Sequence, residues 1–229
     1  MQPELQMNSQ STQLALAQNK VLRNTYMMLS LTMIPTVIGA WMGLSLNFSF
    51  MAVHPVLSMV GILAVMFGMF YGIQANRNNS LGVMLLLGVT FLFGLMLGPI
   101  LQAALHFRNG AQLIGLAAGG TGVIFFTLAG IATVTKKDFS FMGKFLFVGL
   151  VMLVIASLAN AFFQVPVASL AISAIAIMIF SGYILFDVSR IVNGGETNYV
   201  MATLALYLDI YNIFVNLLNL LMAFSGNRD

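Results

Sequence analysis

Cysteine is absent, so neither a disulfide framework nor a thiolate metal site can hold this chain together. Charge is nearly as scarce: Asp, Glu, Lys and Arg make up 7% of the 229 residues, against roughly a quarter in soluble domains. That scarcity excludes an ordinary soluble globular protein. The nine Lys and Arg are scattered between apolar stretches rather than clustered, which is no nucleic-acid footprint. A basic n-region followed by an apolar h-region would mark a signal peptide, and residues 1–19 have neither. They are polar and rich in Gln, Asn and Ser. With little to bury, they are expected to form a disordered cytoplasmic tail, leaving residues 20–229 as the membrane domain.

What the chain has in abundance is apolar length. Uncharged runs occur at Thr25–Leu46, Val53–Ile73, Leu81–Leu101, Ala111–Val134, Phe145–Phe163, Val167–Phe186 and Tyr199–Phe224. Each is near the ~20 residues that a helix needs to cross the hydrocarbon core. A transmembrane barrel would alternate apolar and polar residues in segments of about ten, and these runs are continuous. The fold class is therefore all-α, a polytopic bundle of seven transmembrane helices. Asn47-Phe48-Ser49, Asn76 to Ser80, Lys136-Lys137-Asp138, Gln164-Val165-Pro166 and Asn193 to Glu196 supply the turns.

Orientation follows from the loops. Lys20, Arg23, Arg77, Lys136, Lys137, Lys144 and Arg190 fall on one side, and Arg108 and Arg228 on the other. The excess of basic residues belongs on the cytoplasmic side, so the N-terminus is expected in the cytoplasm and the C-terminus outside. Pairs of glycines four apart (Gly68 and Gly72, Gly94 and Gly98, Gly115 and Gly119) are expected to let helices approach closely. Pro35 and Pro99 are expected to kink their spans.

A carboxylate at the centre of a membrane helix costs about 2.5–3.5 kcal/mol on insertion scales, so each one calls for a reason. Asp209 lies ten residues into the seventh run, and Asn212, Asn216 and Asn219 follow it on one helical stripe. Lipid offers these groups no partners, so the stripe is expected to face the bundle interior or a water-filled path. Interhelical hydrogen bonds that merely hold the bundle together are the alternative for the amides. Ser157, Asn160 and Gln164 repeat the pattern on the fifth run.

Asp187 closes the sixth run. On these boundaries it sits at the cytoplasmic mouth with Asp209 ~15 Å deeper. The two meet only if the sixth helix continues through Ile191 or Val192, or if the seventh begins deeper. In contact, they would share a proton and form a proton or cation site. Arg190, three residues on, is a candidate counter-ion, although a cytoplasmic anchor explains it equally well.

Enzyme signatures are missing, and no catalytic residue, cofactor or metal is expected. His54 and His106 lack the paired spacing of a zinc protease. Gly119-Gly120-Thr121-Gly122 lies inside a span, with no strand before it to make a phosphate loop. Intramembrane aspartyl proteases also carry two aspartates on consecutive spans, but their Gly-x-Gly-Asp motif is replaced here by Leu206-Tyr207-Leu208-Asp209.

Several stretches carry a resemblance. They are Lys20 to Tyr26, Leu97-Gly98-Pro99-Ile100-Leu101, Lys136 to Phe141, Gly182 to Asp187, Gly194 to Tyr199 and Leu206 to Phe214. In this order, across nearly the whole chain from Lys20, they resemble the Bax inhibitor family of membrane proteins. The resemblance implies a bacterial inner-membrane regulator that binds the membrane-anchored ATP-dependent protease FtsH and limits degradation of membrane proteins. It also implies the alternative of a pH-sensitive calcium leak gated by an acidic pair, which maps onto Asp187 and Asp209, with proton or calcium as the candidate ion. The basic partner on the second span in the family's channel-like members has no counterpart here, since Arg77 lies just past that span.

Overall fold

The computed structural model describes residues 2–226, and side chains are described from Leu16 onward except for Ala52. Among the described residues nine α-helices follow one another: α1 (Gln2–Ser45), α2 (Ser49–Val53), α3 (Pro55–Ala75), α4 (Ser80–Met96), α5 (Gly98–Leu105), α6 (Gly110–Thr135), α7 (Gly143–Phe163), α8 (Pro166–Val192) and α9 (Tyr199–Gly226). A single 3-10 turn at Ser140–Met142 leads into α7. Seven segments are long and apolar enough to cross a bilayer, from Leu16–Ser45 to Tyr199–Gly226. The protein is an all-α, multi-pass membrane bundle.

Local chemistry sets the boundaries. Pro55 and Pro166 stand in the first turns of α3 and α8, where the missing N–H has no helical partner to lose. Asn79 caps α4 by accepting from Gly82 N at 3.2 Å. The third span is not one rod: it breaks at Leu97 into α4 and α5, with Pro99 in the first turn of α5. Pro35 by contrast lies within α1, which runs on to Ser45.

Two boundaries differ in position from the apolar runs. The backbone of α1 is helical from Gln2. The Gln18 side chain lies against Gly194 of the α8–α9 turn. A membrane helix already nucleated at Leu16 can propagate backward, and Gln, Leu and Ala cost little in a helix. The sixth span extends to Val192 rather than stopping at Phe186, which carries Asp187 and Arg190 inside the helix.

α9 and α1 organise the bundle. α9 packs against α8, α6 and α1, and α1 packs along α4. The closest backbone approach joins α1 to α4 and α5. A Cβ on Gly39 would strike the Phe91 carbonyl, one on Gly94 the Thr36 carbonyl, and one on Gly43 would lie 2.6 Å from Leu95 O. Gly94 and Gly98 thus pack as expected, but their partners are Gly39 and Gly43. Gly68, Gly115 and Gly119 face open space, and Gly72 meets only the tip of Leu85, so those pairs do not form close helix contacts.

Hydroxyls lock the same junction. Thr36 Oγ1 and the Tyr207 hydroxyl are 2.8 Å apart, and Tyr207 donates to the Thr90 carbonyl at 3.2 Å. At the far end of α1, Gln102 Nε2 lies 3.0–3.2 Å from the carbonyls of Gly43, Leu44 and Leu46, where the helix runs out of donors for its last carbonyls.

One end of the bundle gathers the basic segments. Asn198 Nδ2 donates to Arg77 O at 3.0 Å and to Asn78 Oδ1 at 2.8 Å. Ser189 Oγ donates to Lys137 O at 3.0 Å and accepts from Phe139 N at 2.9 Å. The α3–α4, α6–α7 and α8–α9 connections therefore meet at that end. There, Asp138 accepts from Ser140 N at 2.8 Å. The Ser140 hydroxyl and N–H together hold this exposed carboxyl below its ordinary value.

Candidate functional site

The extra length of α8 makes the site. With Asp187 inside the helix rather than after it, its carboxyl lies beside that of Asp209 on α9. The ~15 Å separation expected from the shorter span is thereby overturned. Asp209 is 4% exposed, and among the described residues no donor reaches its Oδ2. Two carboxyls can bond each other only when one of them carries a proton, since the ionised form is acceptor-only. Toward the core, the neighbouring side chains Ile184, Val188 and Leu206 are all fully buried.

Toward the basic end the site opens onto charge. Arg190 Nη1 is 3.9 Å from Asp187 Oδ1, and Arg190 Nη2 is 3.7 Å from Glu196 Oε2. The guanidinium also stacks over Phe186, 5.5 Å from the ring centre, and its Nη2 donates to Gly195 O at 3.3 Å. Arg190 is half exposed and divides its charge between two acids, so it borders the pair without entering it. Glu196 was not expected from the sequence. Its position depends on the turn at Gly194, whose φ of +78° suits glycine.

The remaining polar residues are not drawn together. Asn212 Nδ2 donates to Leu208 O and Asn216 Nδ2 to Asn212 O, both at 2.8 Å. These half-buried amides bond back along their own helix, and Asn219 is half buried farther down. On α7, Ser157 and Gln164 are exposed. Asn160 accepts from Val165 N at 3.1 Å, and Gln164 ends the helix in a left-handed conformation with φ of 51°. That triplet serves the helix terminus and does not face inward. His106 Nδ1 lies 2.7 Å from Gln102 O, and His54 packs beside Phe50. No group of three His, Asp or Glu converges among the described residues.

Comparison with known proteins places this geometry. The family model described as Inhibitor of apoptosis-promoting Bax1 matches residues 18–226. The chain belongs to the Bax inhibitor family. Among its relatives, a Vibrio cholerae membrane protein is 41% identical over 217 residues, covering 95% of both chains. The Escherichia coli K12 protein named Modulator of FtsH protease YccA is 40% identical over 206 residues, covering 90% of this chain and 91% of its own. The same coverage and identity hold for the protein of another Escherichia coli strain, named Inner membrane protein YccA. Like these relatives, this Bax inhibitor family member is a multi-pass protein of the inner membrane.

Proposed function

We propose that this protein is a regulator that binds a membrane-anchored ATP-dependent protease of the FtsH type and limits its degradation of other membrane proteins. The observation that carries the reading is the 40% identity, over 90% of the chain, with a protein named for modulating FtsH. Residues 18–226 form the seven-span bundle, with the basic end in the cytoplasm. The polar segment upstream is the part a protease could grip there. Crosslinking in native membranes followed by affinity capture tests contact. Recovery of the protease with the full chain, and its loss on deleting residues 2–15, is the expected outcome. Turnover of a known membrane substrate that does not change when the chain is overproduced would count against modulation.

The contact of Asp187 with Asp209 supports a second reading, a proton-controlled cation path. A carboxyl pair that holds one proton attracts a cation once that proton leaves, because two adjacent negative charges in a low-dielectric site repel each other strongly. Flux in proteoliposomes, with and without Asp209→Asn, tests it. The wild type should pass calcium in a pH-dependent way and the variant should not. Flux no greater than in empty vesicles would exclude the path.

A further inference from the structure

A large cavity lies on the opposite side of α9 from the acidic pair. Its volume is about 800 Å³, within the range of small-molecule sites. α1 and α6 form its walls, each packs on α9, and they meet through the edge-on pair of Tyr26 and Phe125, 6.1 Å between ring centres. Tyr207, Ile210, Tyr211 and Phe214 of α9 make the floor. The lips of the groove, Val37, Phe126 and Val134, are 66%, 74% and 81% exposed. In a membrane these residues face hydrocarbon, so the groove opens sideways into the bilayer.

Its two ends differ. Toward Ala40, Leu101 and Ile114 the lining is apolar. At the other end polar groups appear: the Tyr26 hydroxyl faces the Thr133 side chain across the gap, and Ser30 lies one turn along α1. One turn before Tyr26 on the same face of α1 is Arg23, with Lys20 before it, and Lys136 and Lys137 follow Thr133 where α6 ends. All four are exposed. Among the described residues the ion pairs belong to Arg190 alone, and none involves these four charges. The loop that carries Lys137 is held in place by the bond from Ser189 Oγ to its carbonyl.

We propose that this groove is a binding site for one anionic phospholipid of the surrounding bilayer. An acyl chain lies between α1 and α6 on the α9 aromatics, the ester region meets Tyr26 and Thr133, and the phosphate sits among Arg23, Lys20, Lys136 and Lys137. The groove spans α1 from Tyr26 to Ala40, fourteen steps of 1.5 Å or ~21 Å. That exceeds the ~15 Å depth of one leaflet's hydrocarbon, so a full chain fits. Basic clusters between spans on the cytoplasmic side are the expected seat for anionic headgroups. The site lies apart from the acidic pair and does not depend on protease contact.

Two glycines make the test clean. Gly122 and Gly130 line the groove, and a Cβ on either would meet nothing within 4 Å. Gly122→Leu with Gly130→Leu should therefore fill the space without disturbing a neighbour, and replacing glycine favours the helix. Full-length protein in detergent is mixed with equal amounts of phosphatidylglycerol and phosphatidylethanolamine, then stripped of loose lipid and weighed by native mass spectrometry. The wild type should keep one phospholipid, enriched severalfold in phosphatidylglycerol. The double-leucine variant should lose it. Arg23→Gln with Lys137→Gln leaves the groove open and should retain a phospholipid without the preference. A phosphatidylglycerol adduct that survives in the filled variant, a wild type with no adduct or no preference, or an isoprenoid quinone as the retained species would each overturn the proposal.

Discussion

Asp187 on α8 and Asp209 on α9 present their carboxyls to each other at a packed helix interface, and Arg190 stands 3.9 Å from Asp187 on the open side. The geometry distinguishes two replacements at the buried member. Asp209→Asn supplies an amide donor to Asp187 without needing a proton, so the thermal unfolding temperature in detergent near neutral pH should be kept or raised. Asp209→Ala leaves Asp187 facing a void and should cost ~1–3 kcal/mol, the penalty of an unsatisfied buried polar group. Equal losses in both variants would show that the contact does not hold the interface.

The α1–α4 junction predicts a contrast between glycines. Gly39→Ala and Gly94→Ala push a methyl into a facing carbonyl and should each destabilise by ~1–3 kcal/mol, as overpacking does. Gly119→Ala, which meets open space, should leave the unfolding temperature unchanged or slightly raised. Differential scanning fluorimetry of the three variants reads the difference directly.

Tyr207→Phe removes the hydroxyl that joins Thr36 to the Thr90 carbonyl while keeping the ring against Phe93 and Tyr211. A loss of about 1 kcal/mol is expected, the usual net worth of such a bond. Thr36→Val should lose a similar amount, and the double variant less than the sum, because both changes break one shared network.

Asp138 carries the pH dependence that can be signed. Its folded-state value lies below that of the free side chain, first because of the Ser140 hydroxyl and then because of the Ser140 N–H. The contribution to the α6–α7 turn is therefore complete above the ordinary carboxylate value of ~3.9, and is lost as pH falls through the lower folded value. Near neutrality nothing changes. An NMR titration of the Asp138 carboxyl should give a midpoint below that of the Ser140→Ala variant.

Because the chain contains no cysteine, single cysteines report orientation without background. A cysteine replacing Lys137 should react with a membrane-impermeant maleimide only after inverted vesicles are prepared, and one replacing Arg108 should react in intact cells. The reverse pattern would invert the expected topology.

Apolar run length was enough to find seven spans and turn residues enough to separate them, because lipid leaves a backbone few alternatives. The end of the sixth span could not be read in that way. Asp187 and Arg190 look like the edge of a hydrophobic segment, yet each has a partner on a neighbouring element (Asp209 and Glu196), and the helix continues beneath them. The Gly39 and Gly43 contact escaped notice for a related reason. Spacing marks every small-residue pair equally, and only the facing helix shows which pair is used. Asn212 and Asn216 read as an inward polar path, but their amides reach their own helix first, since the carbonyl four residues back is always within range.

Tyr207 and Asp209 are two residues apart, which on a helix turns them ~200° from each other. One is keyed into Thr36 and Thr90 and the other is aimed at Asp187. α9 therefore behaves as an axle pinned on both sides: it cannot twist to part the carboxyls without shearing the tyrosine from its seat. Parting the carboxyls with the tyrosine still seated would require α8 to move against α9 and to release Ser189 from the Lys137 carbonyl.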